Sequence, residues 1–280
     1  LAFKNSKERL KRLGFVENVS FEEVRVPGSI NKLDVNVRIE EKKSGNFTIG
    51  AGLGGSGEGL SLNAGISQDN FLGFGSKVEF NINTEETKTQ YLFNFSNPYH
   101  NLDSVSRSFG FNLQKTKTDD EDTSSSYNAD RIGLNYSYGL PMTEDNRFYL
   151  ALKYSNWDIR THSDSPTQIL DFITANGEKF HNFSFKVSYA IDKRDSGRFP
   201  RSGFNTSLSA EIFVPGSDLE YYKMSFRTDS YFLINKENDV ILRLMGMTKF
   251  GEGYGGMQGL PFYDKFKAGG PKSIRGYRKN

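Results

Sequence analysis

The chain of 280 residues has no cysteine, which removes disulfides, thiol nucleophiles, thiolate metal sites and dithiol redox motifs together. Its three histidines, His100, His162 and His181, lie too far apart for ligand-like spacing, so surface or loop positions account for them better than a metal site. Charge of one sign is also lacking. Lys and Arg total 36 against 34 Asp and Glu, a net +2 with no polybasic run, and no nucleic-acid partner is expected. Apolar runs stop after a few residues, far short of the roughly 18 that a spanning helix needs. A mean hydropathy of −0.59 does not dispose of a membrane barrel, because strands that alternate lipid-facing and lumen-facing residues average out as polar. Leu1 is preceded by neither an initiator Met nor a signal peptide, so a processed or excised fragment is expected. What is plentiful is 24 Phe, 14 Tyr and 28 Gly beside one Trp, a β composition.

The first residues read differently from the rest. Phe3, Leu10, Leu13 and Phe15 recur at helical spacing among Lys4, Lys7, Glu8, Arg9, Lys11 and Arg12, and Gly14 stops the helix. Polar strands follow at 16–26 and 32–41, joined through Val26-Pro27-Gly28-Ser29, with Pro27 and Gly28 suited to the centre of a turn. Residues 1–43 therefore read as the tail of a small α+β unit, and 44–280 as a second domain. From Asn46 the period becomes 2 and stays there through eleven candidate strands. Ile132, Leu134, Tyr136, Tyr138 and Leu140 alternate with polar or small residues, as do Phe183, Phe185, Val187, Tyr189 and Ile191, and Phe204, Leu208, Ala210 and Ile212. The last two, 219–232 and 240–248, alternate less cleanly.

A soluble sandwich alternates too. Strands near ten or more residues, with charge kept off the apolar face, suit a bilayer, where Lys or Arg facing lipid costs roughly 2–4 kcal/mol at the midplane. Short connections (141–146 and 235–238) interleave with long polar ones (118–126 and 161–178), and the long ones are expected on the extracellular side. The fold class is mainly β, either an antiparallel transmembrane barrel or a soluble all-β protein. An odd strand number suits a barrel cut short, since bacterial single-chain barrels are normally even.

Two features offer chemistry and have plainer explanations. Asp119-Asp120-Glu121-Asp122 lacks the ordered Gly and spaced ligands of a calcium loop. Gly50, Gly52, Gly54, Gly55, Gly57 and Gly59 are followed by no Lys-Ser/Thr and no helix, so they weaken a strand rather than cradle phosphate. No enzymatic signature, cofactor site or metal site is expected. Three segments carry more character than a connector requires: Gln68-Asp69-Asn70-Phe71-Leu72-Gly73-Phe74-Gly75, the charged turn from Asp192 to Gly203, and the aromatic, glycine-rich loop 260–277. Loops of that last length are usually functional or disordered.

The stretches 6–15, Arg25-Val26-Pro27-Gly28-Ser29, Gln68-Asp69-Asn70-Phe71-Leu72-Gly73, Asn97-Pro98-Tyr99 and Ser273-Ile274-Arg275-Gly276-Tyr277 together resemble the BamA family, the central subunits of the bacterial β-barrel assembly machine. Arg-Gly-Tyr alone marks the wider superfamily, secretion transporters included; the longer 261–277 match is more specific. The resemblance implies that 1–43 is the end of the last polypeptide-transport-associated (POTRA) domain, in the periplasm. It implies that 44–280 is most of a roughly sixteen-stranded outer-membrane barrel of a Gram-negative bacterium, cut to about eleven strands. It implies a loop folded into the lumen, with Ser273, Ile274, Arg275, Gly276 and Tyr277 as its motif and an acid on later strands as partner of Arg275. It also implies an openable seam at the first strand, Phe47, Thr48, Ile49, Gly50, Ala51, Gly52, Leu53 and Gly54, whose glycines should weaken its pairing. Expected partners are unfolded barrel clients, accessory outer-membrane lipoproteins and the lipid bilayer. The activity implied is folding and insertion of barrel proteins without covalent chemistry; export of a dedicated polypeptide through the lumen is the alternative.

Overall fold

Proline at the first central position of a turn and glycine at the second fix the opening hairpin. Gly28 has φ +81° and the Ser29 N–H donates to Val26 O at 3.2 Å, the geometry that favours glycine. Around this turn β1 (Val16–Arg25) and β2 (Leu33–Glu41) form an antiparallel two-stranded sheet of their own. The computed structural model describes residues 10, 15–29, 32–53, 60–85, 87–101, 103–117, 127–162, 164–197, 199–235, 239–266 and 268–269. Of the expected helix over 1–14, Leu10 alone falls among them, and it is helical.

All eleven expected strands form. They are β3 (Gly45–Leu53), β4 (Leu60–Phe71), β5 (Ser76–Thr84), β6 (Lys88–Asn97), β7 (Ser106–Thr116), β8 (Tyr127–Pro141), β9 (Asn146–Thr161), β10 (Lys179–Asp192), β11 (Gly203–Phe213), β12 (Tyr221–Asn235) and β13 (Val240–Gly253). Each pairs antiparallel with its neighbour in sequence, giving one eleven-stranded meander with β3 and β13 at its edges. The described sheet is open, since β3 and β13 do not pair. β12 and β13 begin or end several residues away from the sequence expectation, β13 running on to Gly253.

The period of 2 sorts side chains onto two faces, and among the described residues none covers the outer one. Leu208 is 55% exposed and Phe183 49%, and Ile132, Leu134, Phe109, Phe111, Leu152 and Ile212 are exposed beside them. A soluble sandwich would cover such a face with a second layer. The strands run from 9 to 16 residues, enough to cross a hydrocarbon core in tilted β form. Among the described residues no helix is long and apolar enough to cross a membrane. The inner face is polar, and the sheet curls so far that Glu79 and Asn81 of β5 line the same cavity as Tyr221 and Lys223 of β12.

The buried apolar cluster lies at one end of the sheet. Ala129, Ile159, Phe180, Phe213, Leu219 and Tyr221 pack there with Phe172, Ile173, Met257, Leu260, Phe262 and Tyr263. Phe172 and Ile173 come from helix α1 (Thr167–Asn176), inside a segment expected to be a polar loop. The β1–β2 hairpin and the short turns 72–75 and 142–145 occupy the other end.

Candidate functional site

Strand β3 lies, like β13, at an edge of the described sheet. It pairs on one side only, Phe47 with Ile66, Ile49 with Ala64, Ala51 with Leu62 and Leu53 with Leu60. Its other side presents unpaired backbone groups among the described residues. Phe47 and Ile49 are each 72% exposed and Leu53 87%, on the apolar face, whereas Thr48, Gly50 and Gly52 fall on the inner face. The glycines leave room for their neighbours: a Cβ at Gly50 would sit 2.3 Å from Asn63 Oδ1, and one at Gly52 2.9 Å from Ser61 Oγ, so either side chain would have to move aside. The polar inner row of β4 thus leans over Gly50 and Gly52 of β3, whereas Thr48 keeps an inner side chain. Gly54 lies outside the described residues.

A polar cavity of about 760 Å³ lies along the inner face, lined by Asn81, Asn94, Asn112 and Asn135 toward β3 and by ion pairs toward β12. Lys153 Nζ is 3.0 Å from Glu211 Oε1, which also accepts from Ser184 Oγ at 2.9 Å. The Arg131 guanidinium stands 5.0 Å above the Trp157 ring. The segment after β13 turns back into this space. Asp264 Oδ2 accepts from Lys223 Nζ at 2.5 Å and from the Tyr221 hydroxyl at 2.7 Å, while the Tyr263 ring lies 4.3 Å from Trp157. Burial pushes the Tyr263 phenol well above its ordinary pKa, so it stays neutral. This arrangement fixes the loop against the polar inner face of the sheet.

The expected infolding of the long loop is therefore seen over residues 254–266. The motif Ser273, Ile274, Arg275, Gly276 and Tyr277 lies outside the described residues. Sequence reasoning did not assign the Asp264 latch, whose partners are 41 and 43 residues away along the chain. It also missed helix α1, although Phe172 and Ile173 lie three and four residues after Ile169, on one helical face. Among the described residues no cluster of His, Cys, Asp or Glu is arranged to hold a metal ion.

Comparison with known proteins gives a consistent result. Residues 70–280 match the Omp85 superfamily domain. The chain is 31% identical over 97% of its length to the outer membrane protein assembly factor BamA of Neisseria meningitidis serogroup B, of which it spans 35%. Its structure superposes with a TM-score of 0.84 on BamA from Haemophilus ducreyi lacking POTRA domains 1–3, at 28% identity, over 99% of this chain and 54% of that one. CdiB from Acinetobacter baumannii shares the fold at a TM-score of 0.59 and 15% identity, over 96% and 49%.

Proposed function

Because the chain belongs to the Omp85 superfamily, we propose that it works in the outer membrane of a Gram-negative bacterium, as barrel strands of an assembly factor that folds and inserts other β-barrel proteins. The observation that carries this reading is β3, the first strand of the large sheet, which among the described residues pairs with β4 alone and has an apolar outer face and no side chains at inner positions 50 and 52. An unpaired N–H or C=O in lipid costs several kcal/mol, roughly the penalty for burying a polar group without a partner. An exposed edge in a bilayer therefore recruits another strand, and adding a strand satisfies both partners. No bond is made or broken; the barrier lowered is that of forming the first strand pair of a client in lipid. The β1–β2 hairpin, set apart from the large sheet, is assigned to the end of a periplasmic POTRA domain. Unfolded barrel proteins are the proposed clients, with outer-membrane lipoproteins as accessory subunits.

The test places the complete protein in liposomes with any accessory subunits and follows an unfolded barrel client until it is protease-resistant. Folding faster than with empty liposomes is expected, and Arg275→Ala should slow it. Gly50→Leu, which drives a side chain into Asn63, should disturb β3 and slow it as well. No acceleration, with export of a dedicated polypeptide instead, would establish the transporter reading that a CdiB-like fold also allows.

A further inference from the structure

Strand β3 is fastened unevenly along its length. Just ahead of it the Ser44 hydroxyl, nearly buried, donates to Asp69 O at 2.5 Å and accepts from Gln68 Nε2 at 2.8 Å. Gln68 Nε2 also donates to Asp69 O at 3.0 Å, and the Asp69 N–H crosses to Ser44 O at 3.2 Å. Farther out, Asn70 Nδ2 donates to Glu41 Oε2 at 2.8 Å, tying the last residue of β2 to the end of β4. Asn70 has φ +53°, a conformation that asparagine tolerates, and its Oδ1 accepts the Gly75 N–H at 2.7 Å. One side chain thus shapes the turn and reaches the hairpin. At the other end of β3 the described side-chain bond is Ser61 Oγ to Gly52 O, at 3.2 Å.

We infer that Ser44, Gln68, Asp69, Asn70 and Glu41 form a hinge clasp that holds the hairpin end of β3 in register while its glycine-bearing end separates to take an incoming strand. Ser44 and Asn70 are then positioning residues for assembly. This rests on the reading of β3 as the template edge. The physical need is register: a slip of one residue turns every side chain to the opposite face, so a template that frayed at both ends would present its apolar row to the lumen. Pinning one end removes the slip and leaves peeling as the motion available. Since Glu41 closes β2, the same clasp passes a tilt of the β1–β2 hairpin to the end of β4 and, through Gln68 and Asp69, to Ser44 just ahead of β3.

The test uses the complete protein in liposomes with its accessory subunits, each variant first checked for the heat-modifiable gel mobility of a folded barrel. Ser44→Ala should raise hydrogen exchange over residues 45–48 about threefold to tenfold, the loss of one net hydrogen bond, with a smaller change over 50–53. Asn70→Asp keeps the acceptor for Gly75 but sets a carboxylate against that of Glu41, and should slow client folding by about threefold or more. Adding Glu41→Gln to it restores a donor–acceptor pair of reversed polarity and should recover the rate to within about twofold. Arg201→Ala, which breaks the Arg201–Asp239 ion pair in turns at the same end of the sheet, should leave the rate unchanged. Acceleration by the unaltered protein together with unchanged rates in Ser44→Ala and Asn70→Asp would overturn the clasp and leave the template reading standing. Absence of acceleration by the unaltered protein would overturn both. Should Asn70→Asp not fold, recovery of folding in the double variant supports the clasp, and its failure there beside an unaffected Ser44→Ala overturns it.

Discussion

Asp264→Ala should loosen the infolded loop without unfolding the sheet. The substitution deletes an acceptor that serves two donors, Lys223 Nζ at 2.5 Å and the Tyr221 hydroxyl at 2.7 Å. Charge-assisted hydrogen bonds contribute about 1.5–3 kcal/mol each. Here they share one oxygen, and Lys223 keeps its place over the Phe213 ring at 5.4 Å, so a total of about 2–4 kcal/mol is reasonable. Packing of the partly buried Phe262 and Tyr263 in the aromatic cluster contributes up to about 1.5–3 kcal/mol apiece, the figure for full burial, and remains. The loop should therefore stay docked but open about 30- to 700-fold more often, at 1.4 kcal/mol per decade. Native-state hydrogen exchange reads this directly, since the Asp264 N–H donates to Pro261 O at 2.9 Å and the Gly259 N–H to Glu252 Oε1 at 2.8 Å. Asp264→Asn, which retains an acceptor but loses the charge, should fall between. A change smaller than about threefold in exchange over 257–266 would refute the latch, because it would assign the whole anchoring to the aromatic rings.

Two further outcomes follow from geometry. Phe180→Ala removes a ring with 0% exposure from the cap and should destabilise the folded protein by about 3–5 kcal/mol, seen as a lowered midpoint in heat-modifiability gels. In the turn after β10, the Asp195 carboxylate is held below its ordinary pKa, first by the Arg201 N–H at 2.9 Å and then by the Ser202 N–H at 3.2 Å. A depressed carboxylate stabilises the turn above its unfolded pKa, about 3.9, and loses that contribution as pH falls through the folded value. Exchange over 193–202, corrected for intrinsic chemistry, should rise below that pH, and Asp195→Asn should abolish the pH dependence.

The strands were legible in the sequence because their two faces meet two solvents. Phe183, Phe185 and Val187 point to lipid while Ser184 and Lys186 point to the channel, and the resulting parity fixes the pairing with Leu208 and its neighbours. Alternation blurs where that contrast ends. Phe213 follows Ile212 and Tyr221 precedes Tyr222 because the inner face leaves water and enters the aromatic cap, so apolar residues occupy both parities. Helix α1 escaped notice for a related reason: Ile169, Phe172 and Ile173 are embedded in a segment whose other residues are mostly polar. At the candidate site, the glycines of β3 announced a thin strand, and Gln68 to Gly75 announced a connector with a purpose. Their partners did not show, since Ser44 and Glu41 meet Gln68 and Asn70 through the fold, and local spacing carries no signal for contacts 24 and 29 residues apart.

The uncovered outer face changes what a mutation there means. In an ordinary interior, trimming a side chain leaves a void that rigid neighbours cannot fill, and the void adds to the loss of transfer energy. Around Leu208 or Phe183 the neighbouring medium is a fluid hydrocarbon, which closes over any shortened side chain. Large-to-small changes on that face should therefore scale with area alone, about 25 cal/mol per Å², and be milder than the same changes in the cap. The protein thus keeps two interiors: a solid one at the capped end, where shape matters, and a liquid one supplied by the membrane, where polarity alone is selected.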